Sequence, residues 1–203
     1  MQNTQNSIDL AMQRRGRKVF LLMLTFFVVP IIVVILMFQF NWKPSGVSTG
    51  ELVKPPRLLA TQPQLKNDAG VALKPTFWKE KWSVVYVADQ CDSACMSKLR
   101  DMRQLHVSLY KDITRTQRVL ITQQQDTSDI KSKYPDLIVI NQPAADVASL
   151  TSQFQLDNEL SGASNRLYLV DPLGHLMMSY KPTVPLADVR KDVTRLLKFS
   201  WAG

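Results

Sequence analysis

The chain has 203 residues, of which 45% are apolar and 21% are charged, so its composition is that of a globular protein. Its net charge is +8, but no basic stripe interleaved with aromatic residues is present, which argues against nucleic-acid binding. The spacing of its cysteines and histidines is not that of a zinc site.

An uncharged run of twenty residues, Val19–Phe38, lies near the N-terminus. At about 1.5 Å per residue a helix of this length spans about 30 Å, the thickness of a bilayer core. A cleaved signal peptide has a shorter apolar region followed by small residues. Here Phe40 and Trp42 follow, which suit a membrane interface. We therefore predict a transmembrane anchor at residues 19–40, in which Pro30 is tolerated.

The charges that flank this run predict the orientation of the anchor. Four basic residues lie just before it and one just after it: Arg14, Arg15, Arg17 and Lys18, then Lys43. The positive-inside rule places residues 1–18 in the cytoplasm. The remainder is expected in the periplasm of a bacterium with the anchor in the inner membrane, or in an equivalent oxidising space where a cysteine pair can form a disulfide.

Residues 41–63 are rich in proline and glycine and are predicted to be a tether that is extended and not packed. The simplest interpretation is a spacer. The alternative is that its segment Gly50–Arg57 docks on the outer domain or on a partner.

Residues 64–203 are predicted to form the outer domain, in which strands and helices alternate. The predicted elements are a hairpin over 64–73, strands at Trp82–Val87, Arg118–Thr122, Leu137–Ile140, Leu167–Asp171 and His175–Tyr180, and helices at Met96–Tyr110, Asp126–Tyr134, Ala144–Leu156 and Pro185–Phe199. This order predicts an α/β domain with a mixed sheet and helices on both faces.

The two cysteines of the chain, Cys91 and Cys95, fall between the first long strand and the helix that follows it. A helix N-terminus favours thiolate over thiol, and thiolate is the form that attacks disulfides and binds soft metals. This placement favours a redox pair or a metal site. Two alternatives stay open: a structural disulfide, which would contribute about 2 kcal/mol by closing so short a loop, and inert thiols.

Two stretches carry a resemblance to a known family. The segment Trp82–Cys95, WSVVYVADQCDSAC, resembles the cysteine loop of the Sco/SenC family, and Leu167–Gly174, LYLVDPLG, is similar to a later strand and turn of that family. The similarity covers residues 65–199 and implies a thioredoxin-like fold. The whole chain, with its Gly50-x-Leu-x-x-Pro-Pro-Arg57 tether, resembles small bacterial membrane proteins associated with cytochrome c oxidase assembly.

The resemblance implies a copper site, and the sequence departs from it. Sco proteins bind copper through both loop cysteines and a histidine five residues before the tyrosine of the later strand. Here that tyrosine is Tyr168, and the matching position is Ala163. Cys91 and Cys95 alone should hold Cu(I) weakly and Cu(II) poorly. The thioredoxin proline is also absent from this segment.

The other candidates for a third ligand are the two histidines and the nearby methionines. His175 follows the turn Pro172–Gly174 and is expected to be solvated, so it is a poor candidate. His106 is expected to pack on its helix, about 16 Å along the axis from Cys95. The methionines near these elements are expected to fill the core.

The family resemblance implies a Sco-like assembly factor that handles thiols or copper through its Cys-x-x-x-Cys loop. Its expected partners are cytochrome c oxidase subunits or other oxidase assembly factors, and copper is its expected, weakly held cofactor. A thiol–disulfide oxidoreductase and a non-catalytic docking subunit with a thioredoxin fold are the alternatives.

Overall fold

The structure is a computed structural model that describes residues 2–40, 48–61, 64–156 and 158–200, with residues 2–15 described by their backbone. The chain divides into two compact units, Met1–Val47 and Ser48–Gly203. In the first unit a single helix, α1, runs over Gln2–Gln39 and continues through Pro30. Its segment Gly16–Gln39 is long and apolar enough to cross a membrane, with a mean hydropathy of 3.2. Trp42 and Lys43, which we predicted to flank the anchor, lie outside the described residues.

The second unit contains seven strands and four α-helices within its described residues. The strands are β1 (Glu51–Leu58), β2 (Lys66–Asn67), β3 (Trp82–Ala88), β4 (Thr116–Thr122), β5 (Ile138–Gln142), β6 (Leu167–Val170) and β7 (His175–Tyr180). The helices are α2 (Ser93–Val107), α3 (Ser128–Lys133), α4 (Ala144–Ser152) and α5 (Leu186–Phe199), with a short 3₁₀ helix at Tyr110–Arg115. The strands and helices predicted between residues 82 and 199 are all present, and the ends of most differ by one to four residues.

One sheet organises this unit, with the strand order β1-β7-β6-β3-β4-β5-β2. The three strands β3, β4 and β5 are parallel, and β6 is antiparallel to β3. Parallel strands end at the same edge of a sheet, so the loops that follow β3, β4 and β5 lie together. The antiparallel strand β6 begins at that edge, because Tyr86 of β3 pairs with Leu167 of β6.

The sheet has a hydrophobic core on each face, because successive side chains of a strand point to opposite sides. On one face Val84 and Tyr86 pack with α2, α3 and α5. On the other face Val85 and Val87 pack with α4 and with apolar residues from Leu59 to Trp78. The prediction of a mixed sheet with helices on both faces is confirmed.

The segment Glu51–Leu58 differs from our expectation that residues 41–63 form an unpacked spacer. It is an edge strand that pairs antiparallel with β7, from Glu51 opposite Ser179 to Leu58 opposite His175. The ladder is interrupted between Leu52 and Arg57. The two prolines, which cannot donate to a ladder, lie within this interruption. The spacer interpretation is therefore wrong for these residues; residues 41–47 and 62–63 lie outside the described part of the chain.

Candidate functional site

The two cysteines lie at the edge where β3, β4 and β5 end. Cys91 follows β3, and Cys95 is the third residue of α2. Their sulfurs form a disulfide, with the Cα atoms 5.0 Å apart. Cys91 is partly exposed, whereas Cys95 is 1% exposed and packs in the core beneath the helix. One sulfur of the pair is therefore near the surface, and the other is covered.

Asp92 caps the helix that carries Cys95. Its backbone is extended, and its Oδ1 accepts a hydrogen bond from the backbone N–H of Cys95 at 2.9 Å. An aspartate at this position satisfies one of the free N–H groups of the first turn, which is why α2 begins at Ser93 and not at Met96 as we predicted. The first turn carries the partial positive charge of the helix, and this charge favours thiolate when the disulfide is reduced.

A side chain from the loop that follows the neighbouring strand, β4, fixes the position of Cys91. Gln124, two residues beyond β4, accepts a hydrogen bond from the backbone N–H of Cys91 through its Oε1 at 2.9 Å. The amide nitrogen of Gln124 donates to the carbonyl oxygen of Asp126 at 2.6 Å, which orients the side chain. Gln124 was not predicted as a site residue, because no local sequence pattern indicates a contact between two loops that only the parallel pairing of β3 and β4 brings together.

The loop before β6 lies against the other side of the cysteine segment. Gly162 sits directly on Asp89, so closely that an added Cβ would overlap the Asp89 carboxylate. Asn165 accepts a hydrogen bond from the hydroxyl of Tyr86 at 2.7 Å. The pKa of Tyr86 is raised to about 12, mainly because its hydroxyl is buried and to a smaller extent because Asp92 is negatively charged. Ala163, the position at which the family resemblance implies a histidine, therefore belongs to a loop that borders the cysteines.

The two histidines lie elsewhere. His175 begins β7 and pairs with Leu58, at the end of the strands opposite the cysteine loop, and its Nδ1 lies 3.2 Å from Asp171 Oδ2. It does not complete a site with the cysteines, which corrects its candidacy as a third ligand. His106 Nε2 lies 3.3 Å from the carbonyl oxygen of Thr116, and the pKa of this histidine is lowered mainly because its ring is buried.

The residues present do not fit a copper site with three ligands. Cys91 and Cys95 are bonded to each other, and the loop over residues 161–165 offers no imidazole. Among the described residues, no group of three or more His, Cys, Asp or Glu side chains is placed to hold a metal ion. When reduced, the site offers two thiolates and no third ligand of those types.

Comparisons with known proteins agree with this architecture. Many solved structures share the fold, and three of them illustrate the match. Copper-bound Sco1 of yeast has a TM-score of 0.58 at 17% identity, covering 78% of this chain and 96% of that chain, and copper-bound ScoI of Arabidopsis thaliana has a TM-score of 0.55 at 16% identity, covering 75% and 100%. BsSco, described as a Sco family cytochrome c oxidase assembly protein with a disulfide switch, has a TM-score of 0.52 at 15% identity, covering 73% and 99%. At these identities the likeness shows the fold alone.

A search of curated protein sequences found no match. A protein-family model matches more than half of the chain, over residues 82–200. The chain thus belongs to the family described as transmembrane-like, thioredoxin-like, C-terminal domain, and it combines an apolar N-terminal helix with a thioredoxin-like domain of the Sco type.

Proposed function

We propose that this protein is a membrane-anchored assembly factor for cytochrome c oxidase that acts by thiol–disulfide exchange at Cys91 and Cys95. The observation that carries the proposal is the geometry of the pair: a partly exposed Cys91 bonded to a covered Cys95 at the N-terminus of α2. A Sco-type fold supports the link to oxidase assembly, since BsSco is described as a protein of that kind.

We infer different roles for the two sulfurs from their different exposure. In the reduced protein the accessible Cys91 thiolate attacks a disulfide of the partner, whose S–S bond breaks as a mixed disulfide forms and one partner thiolate leaves. The Cys95 thiolate then attacks Cys91 Sγ, forms the intramolecular disulfide and releases the second partner thiolate. The partner gains two electrons and this protein loses them, while the protons of Cys91 and Cys95 pass through solvent to the partner's thiols. Run backwards, the same steps oxidise a partner dithiol.

Copper delivery is the second candidate, because yeast Sco1 and Arabidopsis ScoI share this fold and are copper-bound. Copper would here be cargo, held as Cu(I) by the two thiolates of the reduced site. The absence of an imidazole at Ala163 makes retention of Cu(II) poor. This chemistry favours thiol exchange as the main activity.

The placement of the protein is part of the proposal. The apolar segment Gly16–Gln39 supports a membrane anchor. The basic residues before it support a cytoplasmic N-terminus, and the outer domain is then periplasmic, at the bacterial inner membrane. Oxidase subunits or other oxidase assembly factors are the proposed partners, since BsSco, which shares the fold, is described as a cytochrome c oxidase assembly protein.

A redox titration of the full-length protein in detergent tests the exchange chemistry. The protein is equilibrated in glutathione buffers, and free thiols are trapped by alkylation and counted by mass. We expect a reversible two-electron transition at a potential above about −300 mV, the upper range of structural disulfides. A midpoint below that value would identify the disulfide as a structural bond. Thiols that never pair in air would refute both interpretations.

Replacement of both cysteines by serine in cells tests whether the chemistry is needed. Loss of oxidase activity with normal protein abundance supports the proposed function. Full oxidase activity in the double variant would select the non-catalytic docking subunit instead. Ala163→His, with Cu(II) absorption as the readout, tests the copper candidate: wild type should bind Cu(II) poorly, and the variant should gain a thiolate-to-copper band.

A further inference from the structure

The loop Glu159–Arg166 contacts the chain just before the disulfide at two points. The backbone at Gly162 rests on the Asp89 carboxylate, two residues before the first cysteine. The side chain of Asn165 accepts the hydroxyl hydrogen of Tyr86, which packs in the same core cluster as the covered cysteine. The loop is therefore packed on the segment that leads into the disulfide.

The guanidinium of Arg166 holds this loop in place. Arg166 is 3% exposed, and its Nε donates to Glu159 Oε2 at 2.9 Å. Its Nη1 donates to Glu51 Oε2 at 2.6 Å and to Ser179 Oγ at 3.3 Å. A guanidinium presents its donors in a fixed planar fork, so the two carboxylates are held in one arrangement. One side chain thus joins the first and last residues of the loop and ties both to β1.

The second carboxylate of this network belongs to the segment through which the chain enters the domain. Glu51 also pairs with Lys181, whose Nζ lies 2.6 Å from Glu51 Oε1. Hydrogen bonds from Lys181, then from Arg166, lower the pKa of Glu51. Just before it, Thr49 and Gly50 donate their backbone N–H groups to Asp192 at 2.8 and 3.1 Å. This segment is therefore a fixed support for the loop.

We propose that Arg166 is a positioning residue for the Cys91–Cys95 site, which it serves by clamping the loop Glu159–Arg166 to β1. The role of this clamp in thiol exchange rests on the proposed function. Without the guanidinium, the carboxylates of Glu159 and Glu51 repel each other across a vacated space, and the loop moves off the cysteine segment. The segment that carries Cys91 then loses this support, and the disulfide becomes more accessible to thiolates.

The test is the second-order rate constant for reduction of the disulfide by dithiothreitol in the folded, full-length protein. Reaction is stopped by alkylation, and the reduced fraction is measured by mass. In Arg166→Gln we expect the rate constant to rise about fivefold, which corresponds to about 1 kcal/mol of barrier. Glu159→Gln removes one arm of the clamp at a half-exposed side chain and should raise the rate in the same direction by a smaller factor.

Among the side chains that the structure describes, a second buried arginine, Arg118, offers a matched control. Arg118 is 1% exposed on β4, and its Nη2 lies 2.6 Å from Asp136 Oδ2. It pairs with Val84, four residues before the end of β3, and its strand lies on the other side of β3 from β6. Arg118→Gln and Asp136→Asn should lower the melting temperature and leave the rate constant within about twofold of wild type, since they disturb packing and not the clamp.

Unchanged rates in Arg166→Gln and Glu159→Gln would overturn the inference, and so would an equal rise in Arg118→Gln, which would indicate general loosening. If Arg166→Gln does not fold, Glu159→Gln and Asp136→Asn decide alone. A wild-type midpoint below about −300 mV would refute the proposed exchange function. The rate comparison would still decide whether Arg166 positions the loop, so the two failures are distinguishable.

Discussion

Asp92 should tune the redox potential of the site through its charge. Its carboxylate accepts a hydrogen bond from the Cys95 N–H at 2.9 Å, so it lies close to the Cys95 sulfur, which can ionise to a thiolate on reduction. Asp92→Asn keeps an oxygen for the cap and removes the negative charge. Repulsion of the thiolate is then relieved, the reduced form gains stability, and the midpoint should become more oxidising.

The magnitude follows from Coulomb's law. A carboxylate bonded to that N–H lies on the order of 5 Å from the sulfur, and because Asp92 is exposed, a dielectric near that of water gives about 1 kcal/mol. For a two-electron couple this corresponds to a rise of about 20 mV. The rise requires thiolate, so it should be larger at about pH 9 than at about pH 6, on either side of an ordinary thiol pKa.

The assay is a glutathione titration of wild type, Asp92→Asn and a control carboxylate on the same helix, Asp101→Asn. Asp101 lies six residues beyond Cys95 on α2, about 9 Å along the helix axis and near the Debye length at physiological salt, and it pairs with Lys98 at 4.0 Å. Its removal should move the midpoint by less than about half as much as removal of the Asp92 charge. A midpoint that stays constant or falls in Asp92→Asn, or that rises equally in Asp101→Asn, would refute the electrostatic reasoning.

Three further predictions concern stability and topology. Asp192→Ala removes a charged acceptor from the N–H groups of Thr49, which is exposed, and Gly50, which is partly buried. Urea unfolding should therefore show a loss of about 1–3 kcal/mol, and an unchanged midpoint would contradict this contact. Hydrogen bonds from Lys181 and Arg166 lower the pKa of Glu51, so the stability that this carboxylate contributes to the fold is present above about pH 4.5 and is lost as the pH falls through its lower pKa in the folded state. Glu51→Gln should weaken this acid-induced loss of stability in a pH series of unfolding curves. An identical pH dependence in wild type and variant would disprove the assignment. A reporter active only in the cytoplasm and fused after Gly203 should be silent, and a strong signal would overturn the proposed orientation.

Much of the fold is encoded locally. The apolar strands, the helical spacing of α2 and the proline before α5 each depend on near neighbours in the chain, so the order and type of these elements were predicted correctly. The apolar helix was equally accessible, because twenty uncharged residues carry their own signal. The cysteines were chosen as candidates for the same reason: they follow a strand and open a helix.

Contacts between distant segments required the tertiary structure. The pairing of β1 with β7 turned a proline-rich stretch into an edge strand, since its prolines fall where no ladder hydrogen bond is needed. Parallel pairing brought Gln124 to Cys91, and sheet register placed His175 at the far end from the cysteines. Arg166 could not be identified from local sequence. Glu51 lies 115 residues away and becomes its neighbour only when β1 joins the sheet, and the contact with Glu159 depends on how the loop before β6 folds back. The sequence by itself thus determined that the two cysteines are the reactive groups, whereas the packing of the sheet decided which residues surround them.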